Sequence, residues 1–227
     1  MTTAMTAQIE SSSRSLRRFS AIELLIAITI LYVSMPFVES LRSGPLIESI
    51  LFTIVLVSGV LAIADRRRTV VIAAVLAFAA LGGQWAHHFR PDLMPPELFH
   101  IAGILLVLFV IINLLRFVLT ASEVDREVLC ASVSAYLLLG LVWTLAYWLV
   151  AELIPNAFAF NGADKSLEGF NGFYFSLITM STVGYGDITP VAKVARMLAA
   201  MEAMTGLLYV ATLIARLVAL QATPKSS

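Results

Sequence analysis

TMSTVGYGDITP runs from Thr179 to Pro190. It sets two glycines, a tyrosine and an aspartate between strongly apolar segments, in a chain that is 59% hydrophobic and only 13% charged. Soluble domains are roughly a quarter charged, so a mean hydropathy of +0.91 points to a membrane protein. A spanning helix takes ~20 mostly apolar residues. Six segments meet that need, at about 20–38, 46–64, 69–87, 98–119, 128–152 and 190–219. The quoted stretch falls between the fifth and the sixth. Before it, Gly172 to Ser181 (GFYFSLITMS) is an apolar helix of about ten residues, too short to span and suited to a re-entrant segment. The first segment needs no signal-peptide reading, because no small-residue cleavage pattern follows it and five more spans do. The expected fold is an all-α membrane protein with six spans and a re-entrant helix between the last two.

Charge gives the orientation, since cytoplasmic loops collect Lys and Arg. With the N-terminus inside, the inner side holds Arg14, Arg17, Arg18, Arg66, Arg67, Arg68, Arg116, Arg126, Arg216 and Lys225. The outer side holds only Arg42, Arg90, Lys165, Lys193 and Arg196. Both termini are therefore expected inside, and the loop with the quoted stretch outside. The expected divisions are a tail at 1–18, a four-span domain at 19–119, a charged linker at 120–127, a second membrane domain at 128–220 and a tail at 221–227. A net charge of zero argues against nucleic acid. The single cysteine, Cys130, cannot form an intrachain disulfide and reads as a buried thiol. No nucleophile–base set, phosphate loop or metal-ligand cluster argues for an enzyme or an organic cofactor.

Non-helical backbone at membrane depth is tolerated where it is buried in protein or lines a water-filled path. Gly184 and Gly186 permit positive φ. Residues alternating between left- and right-handed backbone turn successive carbonyls to one side, and a row of carbonyl oxygens is a neutral site that can replace a cation's hydration shell. One chain supplies one edge of such a cage, so several copies around an axis are implied.

On these residues, Thr182-Val183-Gly184-Tyr185-Gly186-Asp187 resembles the selectivity filter of the six-transmembrane tetrameric potassium channels, whose filters are known by the sequence TVGYG. The close resemblance covers about 169–219; for the first four spans only number and orientation match. It implies a homotetramer in the inner membrane that conducts K+ passively, with lipid around it and no soluble partner. It implies K+ bound by the carbonyls of Thr182, Val183, Gly184 and Tyr185, with the Thr182 hydroxyl completing the innermost site. Tyr185 would pack as a spring against the pore helix, and Asp187 would anchor the outer mouth. The tryptophan pair found in many family members is replaced by Tyr174 and Phe175. Tyr174 can donate to Asp187 and Phe175 cannot, so a filter that inactivates readily is expected.

The family's register puts Ala203, Leu207, Val210 and Ile214 on the cavity face, spaced four, three and four residues apart on one side of a helix. Gly206 is either a gating hinge or a close-packing site. Glu202 is the acid well inside a span, ~18 Å past Pro190 along the axis. Intramembrane acids are functional candidates by default. The readings for it are a protonated or hydrogen-bonded acid behind the filter that tunes gating by pH, and a purely structural polar contact, the second slightly favoured.

Voltage-gated relatives carry several arginines in the fourth span, and gating takes three to four charges per subunit. The fourth span here has only Arg116, near its inner end. A voltage-sensor-like shape without voltage sensing is therefore expected. His100 reads as an interfacial histidine, and Trp85 and Trp148 as outer-belt aromatics. Alternatives are a weakly selective cation channel, a non-conducting regulatory subunit, and a secondary transporter. The last should show paired broken spans in two related halves, whereas only one half has a loop of this kind. With only QATPKSS after Leu220, a soluble sensor domain is not expected.

Overall fold

Six helices long and apolar enough to cross a membrane dominate the computed structural model, which describes residues 21–63, 67–90, 95–162 and 166–222. They are α1 (Ala21–Val38), α2 (Gly44–Ala62), α3 (Arg67–Phe89), α4 (Pro96–Thr120), α5 (Arg126–Leu153) and α7 (Lys193–Ala222). Between the last two lies α6 (Phe170–Met180), 11 residues long. Each expected span coincides with one of these long apolar helices, with ends shifted by a few residues. The tail at 1–18, Arg66, Lys165 and Lys225 lie outside the described residues.

The starts of the helices follow their sequences. Pro45 and Pro96 sit in the first turns of α2 and α4, where a missing N–H costs nothing. Asp125 caps α5 by accepting from the Val128 N–H at 2.9 Å, which satisfies one of the orphan donors of a helix start. The linker expected at 120–127 thus narrows to the residues between Thr120 and Arg126. At the other end α7 runs on to Ala222, two residues past the expected boundary.

The apolar core does not stop at that linker. Leu24, Ile28 and Leu31 of α1, Leu106 and Val110 of α4, Ala131, Leu138 and Leu141 of α5, and Phe173 of α6 share one buried cluster. Trp148 and His100 are turned into this core, against the reading of both as interfacial. The Trp148 indole stands edge-on to Phe173 and donates to the Leu167 carbonyl at 2.8 Å. His100 is buried, with Nδ1 3.1 Å from Glu152 Oε1. Trp85 likewise turns its indole N–H toward Thr53 Oγ1, at 3.2 Å.

Two short strands complete the described fold: β1 (Phe158–Phe160) pairs antiparallel with β2 (Ile188–Pro190), Ala159 opposite Thr189. The sequence reading has a loop at β1. Phe-Ala-Phe becomes a strand because its partner lies about 30 residues further on, beyond α6. A second buried cluster under this ribbon joins Tyr147, Phe158, Phe175, Ile188 and Ala195.

Candidate functional site

Helix α6 ends at Met180, and the quoted stretch begins where its hydrogen bonding gives out. Ser181 N–H still reaches Leu177 O at 3.0 Å, and then Val183 and Gly184 both donate to Ile178 O, at 2.9 and 3.1 Å. From there the backbone alternates. Thr182, Gly184 and Gly186 have φ of 61°, 52° and 79°, while Val183 and Tyr185 between them keep negative φ. A positive φ is uncommon for a β-branched residue, so Thr182 is held there by its neighbours. Thr182 through Gly186 are all exposed on the single chain, and Tyr185 is 73% exposed. Most of the Tyr185 ring therefore faces away from the α6 of its own chain.

The far end of the stretch is tied down. Tyr174 donates to Asp187 Oδ2 at 2.7 Å. Burial first, and then this bond, push the Tyr174 phenol up to about 12. Asp187 Oδ1 accepts the Ile188 N–H at 3.1 Å. Asn161, which the sequence reading passed over, holds the same end from the ribbon: its N–H donates to Asp187 O at 2.8 Å and its Nδ2 to Gly186 O at 3.1 Å. Nothing in the local sequence around Asn161 announces this, because it depends on strand pairing across α6. Phe175 faces the other way. It is buried edge-on to Tyr147 and Phe158, with ring centroids 4.9 and 5.6 Å away.

Behind α6 lies a seat made by α7. Gly206 is buried, and a Cβ there would overlap the Met180 carbonyl oxygen. Its place in the fold is thus a close approach of two backbones. One turn earlier, Glu202 is 0% exposed. Its carboxyl meets Tyr147 Oη at 2.5 Å and Ser176 Oγ at 2.6 Å, so it joins α5, α6 and α7. Leu207, Val210 and Ile214 are exposed on the single chain and Ala203 is half-buried. Toward the C-terminal end of α7, Arg216 Nη2 donates to Leu119 O and Ala121 O, at 3.0 and 2.9 Å, fastening α7 to the end of α4. Among the described residues no group of three or more His, Cys, Asp or Glu side chains could hold a metal ion.

The ion channel family model matches residues 133–221, from the first turns of α5 to the end of α7. That stretch of the chain is similar to the ion channel family. The match begins well before residue 169 and so takes in α5 as well as the quoted stretch. Similar curated proteins are potassium channels. A two pore potassium channel b of Oryza sativa is 32% identical over 82 residues, 36% of this chain and 21% of that one. The voltage-gated potassium channel Kch of Escherichia coli is 46% identical over 59 residues, 22% of this chain and 14% of that one. A two-pore potassium channel 4 of Arabidopsis thaliana is 31% identical over 102 residues, 43% of this chain and 36% of that one. The chain thus spans about a third or less of the length of these relatives. No solved structure matches it. Six long apolar helices and the similarity to ion channels make this a multi-pass, all-α membrane protein.

Proposed function

We propose that the chain is the subunit of a homotetrameric potassium channel that conducts K+ passively and is not gated by voltage. The observation that carries this is the alternating hand of the backbone at Thr182, Gly184 and Gly186. Alternation turns the carbonyls of Thr182, Val183, Gly184 and Tyr185 toward a common axis, where four copies would ring dehydrated K+. Helix α6 ends just before these carbonyls, so the negative end of its dipole also favours a cation there. On this reading residues 128–220 are the pore domain, 19–119 a voltage-sensor-like domain, and α6 a re-entrant pore helix. Asp187, Tyr174 and Asn161 brace the outer mouth, and Leu207, Val210 and Ile214 line an apolar inner cavity that can close by dewetting. Arg116 alone on α4 supplies too few charges for voltage gating. Both termini are assigned to the cytoplasm and the chain to the inner membrane, on the charge asymmetry of its loops.

The test is the reversal potential of purified protein in a planar bilayer, with K+ on one side and Na+ on the other. A reversal close to the K+ equilibrium potential is expected. Reversal near zero would make this an unselective cation pore. A conductance that rises steeply with depolarisation would remove the claim about voltage.

A further inference from the structure

Three oxygen–oxygen contacts behind α6 require a hydrogen that the neighbouring hydroxyls cannot supply. Tyr147 Oη lies 2.5 Å from Glu202 Oε2. Ser176 Oγ lies 2.6 Å from Glu202 Oε1 and 2.8 Å from the Gly140 carbonyl oxygen. Each contact is at hydrogen-bond distance and needs one hydrogen. The tyrosine brings one, the serine brings one, and a carbonyl brings none. If Glu202 were ionised, the serine hydrogen would have to choose, leaving two oxygens in contact with nothing between them. If Oε1 is protonated, every contact is filled in one direction: Tyr147 to Oε2, Oε1–H to Ser176, and Ser176 to Gly140 O. Gly140 O ends this chain purely as an acceptor, and it also takes the Thr144 hydroxyl at 2.9 Å.

The surroundings agree. Both side chains that bond the Glu202 carboxyl, Tyr147 of α5 and Ser176 of α6, are neutral hydroxyl groups. Tyr32 of α1 closes the pocket from behind, donating to Leu137 O at 3.0 Å, with its hydroxyl close against Gly140. It too is neutral. An unpaired carboxylate sealed from water is strongly disfavoured, whereas a hydrogen-bonded carboxylic acid is not. We infer that Glu202 is a protonated carboxylic acid that donates to Ser176 and so positions α6 against α5 and α7. Ser176 sits one turn before Met180, so the acid fixes the height of the helix end from which the 181–187 stretch departs. The protonation stands on the three contacts alone, while its bearing on the filter rests on the proposed function.

The experiment is infrared difference spectroscopy of the purified full-length protein at neutral pH, which requires no channel activity. Subtracting the spectrum of Glu202→Gln from that of the wild type is expected to reveal one protonated-carboxyl C=O band, with no change in the carboxylate bands. Gln keeps the shape, can donate to Ser176 and can accept from Tyr147. Loss of carboxylate bands instead would overturn the inference. Ser176→Ala gives an independent reading should the first variant fold poorly. Without its acceptor the Glu202 hydroxyl is no longer hydrogen-bonded to Ser176, so the same C=O band should persist and move to higher frequency. A wild-type spectrum with no band that responds to Ser176→Ala would equally sink the proposal.

Discussion

Helices α5 and α7 sit in the same half of the chain, are 28 and 30 residues long, and are both apolar enough to cross a membrane. In the most apolar window of α5, 67% of residues are buried within the chain; in that of α7, 11% are. The difference is one of partners. α5 is wrapped by α1, α4 and α6, and even its Ser132, Ser134 and Thr144 are buried. α7 uses only a narrow seam, with Ala195, Glu202 and Gly206 buried seven and four residues apart, the spacing of one helical face. Away from that seam, Met197, Met201, Met204, Leu207 and Leu208 are all exposed. Hydropathy alone cannot say whether such a surface meets lipid or protein. The proposed tetramer assigns it to other copies.

The largest expected effect tests that assignment. In a Cys130→Ser background, Met204→Cys treated with a short bifunctional maleimide should give covalent oligomers on a denaturing gel. Phe78→Cys on α3, a residue 81% exposed and assigned to lipid, should stay monomeric. The reverse pattern would break the comparison. Next comes the seam itself. Gly206→Ala gains about 1 kcal/mol of helix propensity, yet its methyl group would overlap the Met180 carbonyl, and overpacking typically costs about 1–3 kcal/mol. A lowered melting temperature is expected; a raised one would show that the seam has room.

Smaller effects concern the bracing of the 181–187 stretch. Tyr174→Phe removes the donor to Asp187 and should cost about 1 kcal/mol locally, seen as faster slow-phase decay of current. The tyrosine favours its neutral form in the fold, so the stability it contributes is complete below pH 10.0 and is lost as pH rises toward about 12. A tyrosinate absorbance titration compared with the Phe variant reads this directly. Phe175→Trp does not restore a second strut, because Phe175 packs toward Tyr147 and Phe158. It should lower the melting temperature without slowing the decay. The smallest effect belongs to His100→Gln at the start of α4, where the amide can still donate to Glu152 of α5; a change of about 0.5 kcal/mol is expected, close to the resolution of a denaturation curve.

The six spans and the short helix were legible because length and hydropathy report them directly, and Glu202 stood out as an acid in an apolar run. Its partners did not. Tyr147 and Ser176 are 55 and 26 residues away, and a hydroxyl in a membrane helix carries no label saying what it faces. Trp148 and His100 misled for a related reason. An aromatic side chain near a span end has the same composition whether it turns to the interface or inward, and here the absence of a side chain at Gly172 leaves space for the Trp148 indole. The β1–β2 pair was invisible because three residues are too few to show alternation.

That ribbon also bears on the order in which the molecule is made. Pairing Phe160 with Ile188 closes the chain on itself around α6 and the 181–187 stretch, and the entropy of closing such a loop is spent inside a single newly synthesised chain. In the proposed tetramer, a copy would thus arrive at assembly with its loop already shaped. Encounter between such copies would then have less backbone left to order, which favours rapid joining over slow co-folding.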